Sequence, residues 1–332
     1  MAKQSGQKVR ILYIIDYLRR YSDEQHPVST PQIIEYLENN GIEAERKSVY
    51  RDIDILIDYG YDIIKNRGTG GGYFLSTREF EEPEIRLLTD AVASAGFITA
   101  KKSRELTAKL EKIQSVHQAR RHRDYSYIDI SHKCKNEEIY YTIDRLSDAV
   151  EGGKKVSLRY ERRILSQDRS VTITEKEMEV SPYALIWQDD CYYLVCNNAK
   201  YDNLMNLRLD RMRAVKILDT PARHFSEVSE YKDAFNISDY VSKNFNMFSG
   251  EPTEIKLRCD TALLEQVIDR FGEDIFYLNV ENGHFDFNVK ANLSEGLVSW
   301  ILQFGVGIKA LAPESLVDMI KDRLKELNSI YK

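Results

Sequence analysis

From Lys154 onward the apolar residues of this 332-residue chain change period. Before that point they recur three and four residues apart: Ile11, Ile14, Ile15 and Leu18; Ile33, Ile34 and Leu37; Val49, Ile53 and Leu56. After it they alternate, as in Val156-Ser-Leu-Arg-Tyr160 and Tyr192-Tyr-Leu-Val-Cys196. A spacing of three to four builds one apolar helix face, and a spacing of two builds one strand face. The switch predicts an α+β multidomain chain, helical first and sheet-rich afterwards. The length fits two or three domains. With 42% apolar and 30% charged residues, the composition is that of a soluble protein with sizeable cores.

The stretch from Glu43 to Leu75 says most about function. Val49, Ile53 and Leu56 line one face of a short helix. At about 100° per residue, Lys47, Tyr50, Arg51 and Asp54 fan over the other. Gly60 ends the helix as a C-cap glycine. Ile63-Ile64 and Tyr73-Phe74-Leu75 then flank the glycine-rich turn Asn66–Gly72, which predicts a hairpin. Two helices precede this unit, one through Leu18 and one from Thr30-Pro31 to Asn39-Asn40-Gly41. Thr30 is read as the N-cap, with proline at N1. Three short helices and a hairpin are the pattern of a winged helix-turn-helix, whose third helix enters the major groove while the hairpin lies along the backbone. Residues 1–75 hold ten Lys/Arg against eleven Asp/Glu. Affinity for DNA would therefore rest on a local set, namely Arg46, Lys47, Ser48, Tyr50 and Arg51 on the helix and Lys65 and Arg67 in the hairpin.

Lys47-Ser-Val-Tyr-Arg-Asp-Ile-Asp-Ile-Leu, Tyr59-Gly-Tyr and the closing Gly-Gly-Tyr73 resemble the N-terminal winged helix of bacterial WYL-domain and DeoR-like regulators. The resemblance continues beyond Lys154. Tyr160, Ser181-Pro-Tyr-Ala-Leu185, Tyr192-Tyr-Leu194 and Arg208-Leu-Asp-Arg211-Met resemble a WYL domain, a small Sm/SH3-like barrel. Tyr192 stands where the family usually has Trp. Trp300-Ile-Leu-Gln-Phe-Gly305 and Ala312-Pro-Glu-Ser-Leu316 resemble the C-terminal extension that accompanies WYL domains.

Between these parts, Glu81-Glu-Pro-Glu starts a helix whose expected face is Leu88, Ala91, Val92 and Ala95. A second helix carries Leu106, Leu110 and Ile113. Residues 101–123 hold eight Lys/Arg and two Glu, either a solvated face or a further nucleic-acid contact. Such helix pairs in WYL regulators connect the DNA head to the sensor and often help dimerise. Tyr125–Ile130 is read as a strand. Ile139, Ile143, Leu146 and Val150 give another helix, ended by Gly152-Gly153. Five short strands follow: 156–160, 171–174, 179–183, 192–196 and 204–209. Residues 221–250 show no period. From Glu254 the order strand, helix, two strands, helix, strand and closing helix predicts a ferredoxin-like arrangement.

The expected division is 1–80 winged helix-turn-helix, 81–135 helical linker, 136–222 WYL domain, 223–250 connector and 251–332 ferredoxin-like extension. The net charge of −6 argues against indiscriminate nucleic-acid or membrane binding. No apolar run reaches transmembrane length, and the first residues lack the apolar stretch of a signal peptide, so a cytoplasmic location is expected. Cys134, Cys191, Cys196 and Cys259 form no CxxC pair, and Cys191 with Cys196 lacks a second ligand pair for zinc. No GxSxG, HExxH or GxxxxGK[ST] motif is present, and Gly68-Thr-Gly-Gly-Gly72 precedes a strand, as a wing turn does. No metal, cofactor or catalysis is expected.

A cationic set remains in the alternating region: Arg159, Arg162, Arg163 and Arg169 near its first strands, and Arg208, Arg211 and Arg213 near its last. Guanidinium forks suit phosphate oxygens, and tyrosines stack on bases. A solvated strand face explains the same pattern. The resemblance implies a sensor of nucleic-acid fragments or nucleotides that uses Tyr160, Tyr193, Arg208 and Arg211. The expected function is a ligand-responsive transcription factor, a homodimer on a double-stranded operator with a single-stranded or nucleotide effector. The other reading is a nucleic-acid-binding accessory protein that regulates no promoter.

Overall fold

The computed structural model describes residues 3–66, 71–123 and 132–331, with side chains from residue 9 except at 122 and 123. Arg67, the His122 side chain and the strand expected at Tyr125–Ile130 lie outside the described residues. The protein is an α+β multidomain chain. It divides into two compact units, Met1–Lys135 and Asn136–Lys332.

The first unit opens with helices α1 (Lys3–Tyr21), α2 (Thr30–Asn39) and α3 (Arg46–Tyr59), followed by strands β1 (Ile63–Asn66) and β2 (Gly72–Leu75). The apolar faces legible at three- and four-residue spacing converge here. Ile14, Leu18, Ile33, Leu37, Val49 and Ile53 are essentially inaccessible and share one core with Ile63 and Leu75. The α2 cap is Ser29, not Thr30. Ser29 has extended backbone, and its amide donates to the Gln32 side chain at 2.8 Å in a capping box, so the N-cap lies one residue earlier than expected. Gly60 ends α3 with φ of 115°. The antiparallel β1–β2 pair is pinned to the α1–α2 connection by Val28, which exchanges two backbone hydrogen bonds with Tyr73 at 2.8 and 2.9 Å. Glycine is required at position 72, because a Cβ there would come within 2.4 Å of the Val28 carbonyl oxygen.

Helices α4 (Glu82–Ser94), α5 (Ala100–Glu111) and α6 (Val116–Arg123) complete this unit. Two expectations are corrected here. The packed face of α4 is Ile85, Thr89 and Ala93; of the expected face, Leu88 and Ala91 are exposed, Val92 is half-buried and Ala95, just past the helix, is buried. The smaller side chains permit the close approach to α5, where Ser103 is fully buried. The single basic helix is two helices, broken at Lys112–Ser115. Ser115 caps the second by accepting from the Gln118 amide while its hydroxyl donates to buried Asp23 at 2.6 Å.

The second unit begins with α7 (Ile139–Glu151) and a five-stranded antiparallel sheet: β3 (Lys154–Leu165), β4 (Val171–Gln188), β5 (Cys191–Asn197), β6 (Met205–Arg208) and β7 (Met212–Pro221). The spatial order is β6-β5-β4-β3-β7. Its outer strands are consecutive in sequence and joined by a 3-10 turn at Leu209–Arg211. Five strands are present as expected, but two of the expected ones merge and β7 is additional. The segments at 171–174 and 179–183 are one 18-residue strand, which pairs β3 with its first half and β5 with its second. Glu175, Lys176 and Glu177 are all exposed, which hid the continuity. Residues 221–250 are also more than a linker. They carry the end of β7 and helix α8 (Ile237–Lys243), and their Val228, Tyr231, Phe235, Tyr240 and Met247 pack on Ala184, Ile186 and Val195 of the sheet.

Strands β8 (Glu251–Asp260), β9 (Tyr277–Glu281), β10 (His284–Leu293) and β11 (Ile308–Ala312) form a second antiparallel sheet in the order β11-β8-β10-β9. Helices α9 (Leu264–Phe271) and α10 (Glu295–Leu302) alternate with them, and α11 (Glu314–Ile330) closes the chain. Phe287, Ile255, Leu257, Val267, Leu297 and Leu316 lie in its core. On this sheet, buried Asp286 accepts from Arg258 at 2.7 and 3.1 Å and from the Asn279 side chain at 3.0 Å. The Arg258 bonds hold its carboxyl down at about 2, and Asn279 adds to this. A carboxylate depressed on folding stabilises above its unfolded pKa, near 4, and that contribution is lost as pH falls through about 2. Asp286→Asn should therefore flatten the loss of stability between about pH 4 and pH 2 in denaturation midpoints measured across that window. An unchanged acid limb would refute the assignment.

Candidate nucleic-acid interface and effector face

Helix α3 places its polar residues by packing. With Val49, Ile53 and Leu56 buried, Arg46, Lys47, Tyr50 and Arg51 are left exposed, and Ser48 is half-buried. Asp52 does not pair with its neighbour Arg51. It is buried, and it receives the Arg10 guanidinium from α1, whose side chain is equally withdrawn from solvent. Arg51 has no partner among the described residues and is free to reach outward. Lys65 of β1 lies over the Tyr50 ring at 5.4 Å and the Tyr73 ring at 5.5 Å. The structure thus joins Tyr50 and Lys65, which are far apart on the elements that carry them, into one aromatic–cationic patch. It offers guanidinium, ammonium and phenol donors with no acid among these side chains, which suits base edges and phosphate oxygens.

In the second unit, antiparallel register sets Tyr193 of β5 directly opposite Arg208 of β6, so the two share a face. The opposite face carries Leu194, Leu207 and Leu209, all buried. Asp210 receives Nε and one terminal nitrogen of Arg208, both at 3.0 Å, which holds the guanidinium firmly charged. The other terminal nitrogen has no partner among the described residues. Burial pushes the Tyr193 phenol up to about 12; Cys191 adds to this, and Arg208 opposes it. Burial likewise raises the Cys191 thiol. Cys191 belongs to this cluster although nothing in its own spacing singled it out; only its strand parity with Tyr193 did. Arg211 is exposed on the 3-10 turn.

Tyr160 is placed differently. It is 7% exposed, and its hydroxyl accepts the Arg208 backbone amide at 3.2 Å. Its ring is core, and it supports the β6 end through its hydroxyl. The remaining arginines disperse. Arg159 pairs with Glu175 at 2.8 Å and Arg213 with Glu161 at 2.9 Å, while Arg162 and Arg163 stand exposed toward the β3–β4 turn. Among the described residues no group of three or more His, Cys, Asp or Glu is placed to hold a metal, and no helix is long and apolar enough to cross a membrane.

Residues 141–217 match the WYL domain and residues 251–327 the WCX domain, so the chain belongs to the WYL-domain proteins. It is similar to "Uncharacterized HTH-type transcriptional regulator YobV" of Bacillus subtilis (strain 168), 21% identical over 301 residues that cover 87% of this chain and 91% of that protein. Among solved structures it is similar to "Proteasome accessory factor B/C (PafBC) of Arthrobacter aurescens", 20% identical with a TM-score of 0.28. That match covers 95% of this chain and 47% of the other, so the chain spans about half the length of that structure.

Proposed function

We propose that this chain is a cytoplasmic, non-enzymatic transcriptional regulator that binds a double-stranded operator as a homodimer and responds to an anionic effector. In this reading residues 1–80 are a winged helix-turn-helix and residues 81–135 a helical linker. Residues 136–222 are a small WYL barrel that senses the effector, with 223–250 as connector and 251–332 as a ferredoxin-like extension. The carrying observation is the exposed Lys47–Tyr50–Arg51 face of α3 with Lys65 against Tyr50. The WYL and WCX matches and a relative named as an HTH-type transcriptional regulator support it.

Selection of bound duplexes from a random pool tests the reading. The expected result is an inverted repeat with half-sites about one helical turn apart or more, bound with a dimer's mass in light scattering. Sequence-independent binding to single strands would select the accessory-protein reading instead. On the selected duplex, Lys65→Ala should weaken matched and mismatched sequences alike and lower the salt slope by about one. A loss confined to the matched sequence would assign Lys65 to base readout.

For the effector, the unpartnered nitrogen of Arg208 and the exposed Arg211 guanidinium supply two donors beside Tyr193. Asp210 is the acceptor that fixes one of them. A charge-assisted contact contributes on the order of 1.5–3 kcal/mol, so losing one arginine should weaken effector binding roughly ten- to a hundredfold. Short single strands and nucleotides are the probes. Arg208→Ala with Arg211→Ala should leave operator affinity without effector nearly intact and remove the response. A response equal to the parent's would move the site to the Arg162–Arg163 side of the sheet.

A further inference from the structure

Beyond Tyr160, strands β3 and β4 leave the five-stranded sheet as a ribbon. β7 accompanies β3 only as far as Tyr160, and β5 accompanies β4 only from Ser181. Residues 161–165 of β3 and 171–180 of β4 therefore each keep an outer edge that meets no other strand among the described residues. At about 3.3 Å per residue the ribbon runs roughly 17 Å past β7. Ile164, Leu165, Val171 and Ile173 are 49–73% exposed on it. An open edge with apolar side chains is a template for another strand, and folded proteins usually blunt it with charge or proline. On the β4 edge the charges lie near the base of the ribbon, at Glu175, Lys176, Glu177 and Glu179. Nearer the tip, Val171-Thr-Ile-Thr174 is uncharged and wholly β-branched, which suits a paired strand.

The two edges differ in what they can pair with. When an edge pairs antiparallel with its own copy, one residue faces itself and its neighbours face each other. On β3, a centre at Glu161, Arg162 or Arg163 sets like charges face to face, and a centre at Ile164 sets Arg163 against Leu165. On β4, a centre at Thr172 sets Val171 against Ile173 of the second copy, twice by symmetry, and Ser170 against Thr174. The same register brings Arg169 and Asp168 of the turn level with Glu175 and Lys176 of the second copy, opposite charges in both cases. Glu175 also receives Arg159 of its own ribbon at 2.8 Å. A centre at Ile173 would set Val171 against Glu175, and one at Glu175 would set like charges together. Within one ribbon Leu165 lies opposite Val171, and Arg163 lies opposite Ile173. The Thr172 register thus lines up Leu165 and Val171 with Ile173 and Arg163 of the second copy in one row across the joined ribbons.

We infer that the β4 edge at residues 171–174 is a self-association surface, occupied by the same edge of a second copy of this chain, antiparallel and centred on Thr172. This rests on the homodimer reading above and names a surface that holds the two copies together.

The register makes the test specific. Opposed α-carbons in an antiparallel pair are about 4.5–5.5 Å apart, within reach of a disulfide, whereas Thr174 and its copy would be about 14 Å apart. In the full chain, Thr172→Cys should give a disulfide-linked dimer on a non-reducing gel after mild oxidation. Thr174→Cys and the parent, with its four native cysteines, should give none. Positions 172 and 174 are both exposed, so the second controls for chance collision. Ile173→Lys, outside the core, sets a charge against Val171 and should raise the dimer dissociation constant about tenfold or more in sedimentation equilibrium. Equal linkage through both engineered cysteines, or none through either while the parent weighs as a dimer in light scattering, would overturn the ribbon pairing and leave the homodimer reading standing. A monomeric parent at micromolar concentration, with and without operator, would overturn both. Weakened duplex binding by Arg162→Ala with Arg163→Ala, without a Thr172→Cys link, would overturn the pairing and assign the ribbon to nucleic acid.

Discussion

Asp52→Ala should cost about 3–5 kcal/mol of stability in the first unit, a large part of the roughly 5–15 kcal/mol available to a domain. The reason is the asymmetry of buried ion pairs. The Arg10 and Asp52 side chains are 11% and 9% exposed, and each is the partner that compensates the other's lost hydration. Removing the carboxylate leaves the guanidinium withdrawn from water with nothing to neutralise it. The damage reaches the site as well, because this pair ties α1 to α3 directly beneath the exposed Arg51. Replacing both residues by apolar ones of similar volume, Arg10→Met with Asp52→Leu, should recover most of the loss. Urea denaturation of the parent, both single variants and the double variant gives the cycle. A single-variant cost below about 1 kcal/mol would show the pair to be effectively solvated.

Where the chain could be read in advance, the information was local. Val49, Ile53 and Leu56 mark a face because three turns of one helix meet one core, and Gly60 marks an end because φ of 115° suits glycine alone. The resemblance at Tyr193-Leu194, Arg208–Met212 and Trp300–Gly305 is borne out by the WYL and WCX matches. Where the reading failed, the deciding partner was elsewhere in the sequence. Leu88 looked like core because it is apolar. The close approach of α5 instead selects Thr89 and Ala93, which leaves Leu88 39% exposed. Residues 221–250 showed no period because Tyr231, Phe235 and Met247 reach the sheet from turns and loops, where no regular spacing is imposed.

The effector face shows the same division. Tyr193 and Arg208 were legible as residue types, but their juxtaposition depends on the register between β5 and β6. The position of Tyr160 was, by contrast, available in advance. It has the parity of Val156 and Leu158, both buried, so alternation alone places it inside. Asp52 follows Arg51 in the sequence without pairing with it. Helical geometry separates successive residues by about 100°, so one turns inward to Arg10 and the other outward.

That outward turn underlies the second large effect. Tyr50→Ala with Arg51→Ala should weaken binding of the selected operator roughly thirtyfold to 10⁴-fold, on the basis of about 1–3 kcal/mol for each base-reading side chain. Non-specific duplex should be bound nearly as before, apart from the charge of one arginine. The fold should survive. Tyr50 is 40% exposed and Arg51 is exposed, and neither touches the Val49–Ile53–Leu56 core face, so thermal unfolding should move little. The double variant also releases Lys65 from the Tyr50 ring, which adds a small loss common to all sequences. Tyr50→Phe separates the two contributions, since it keeps the ring under Lys65 and removes only the hydroxyl. Gel-shift titrations on matched and scrambled duplexes, at two salt concentrations, resolve all three effects. Operator affinity unchanged in the double variant would remove α3 from recognition, and with it the reading of the first unit as the DNA-binding head. A matched-to-scrambled ratio that collapses while the melting temperature holds would place sequence readout on these two side chains.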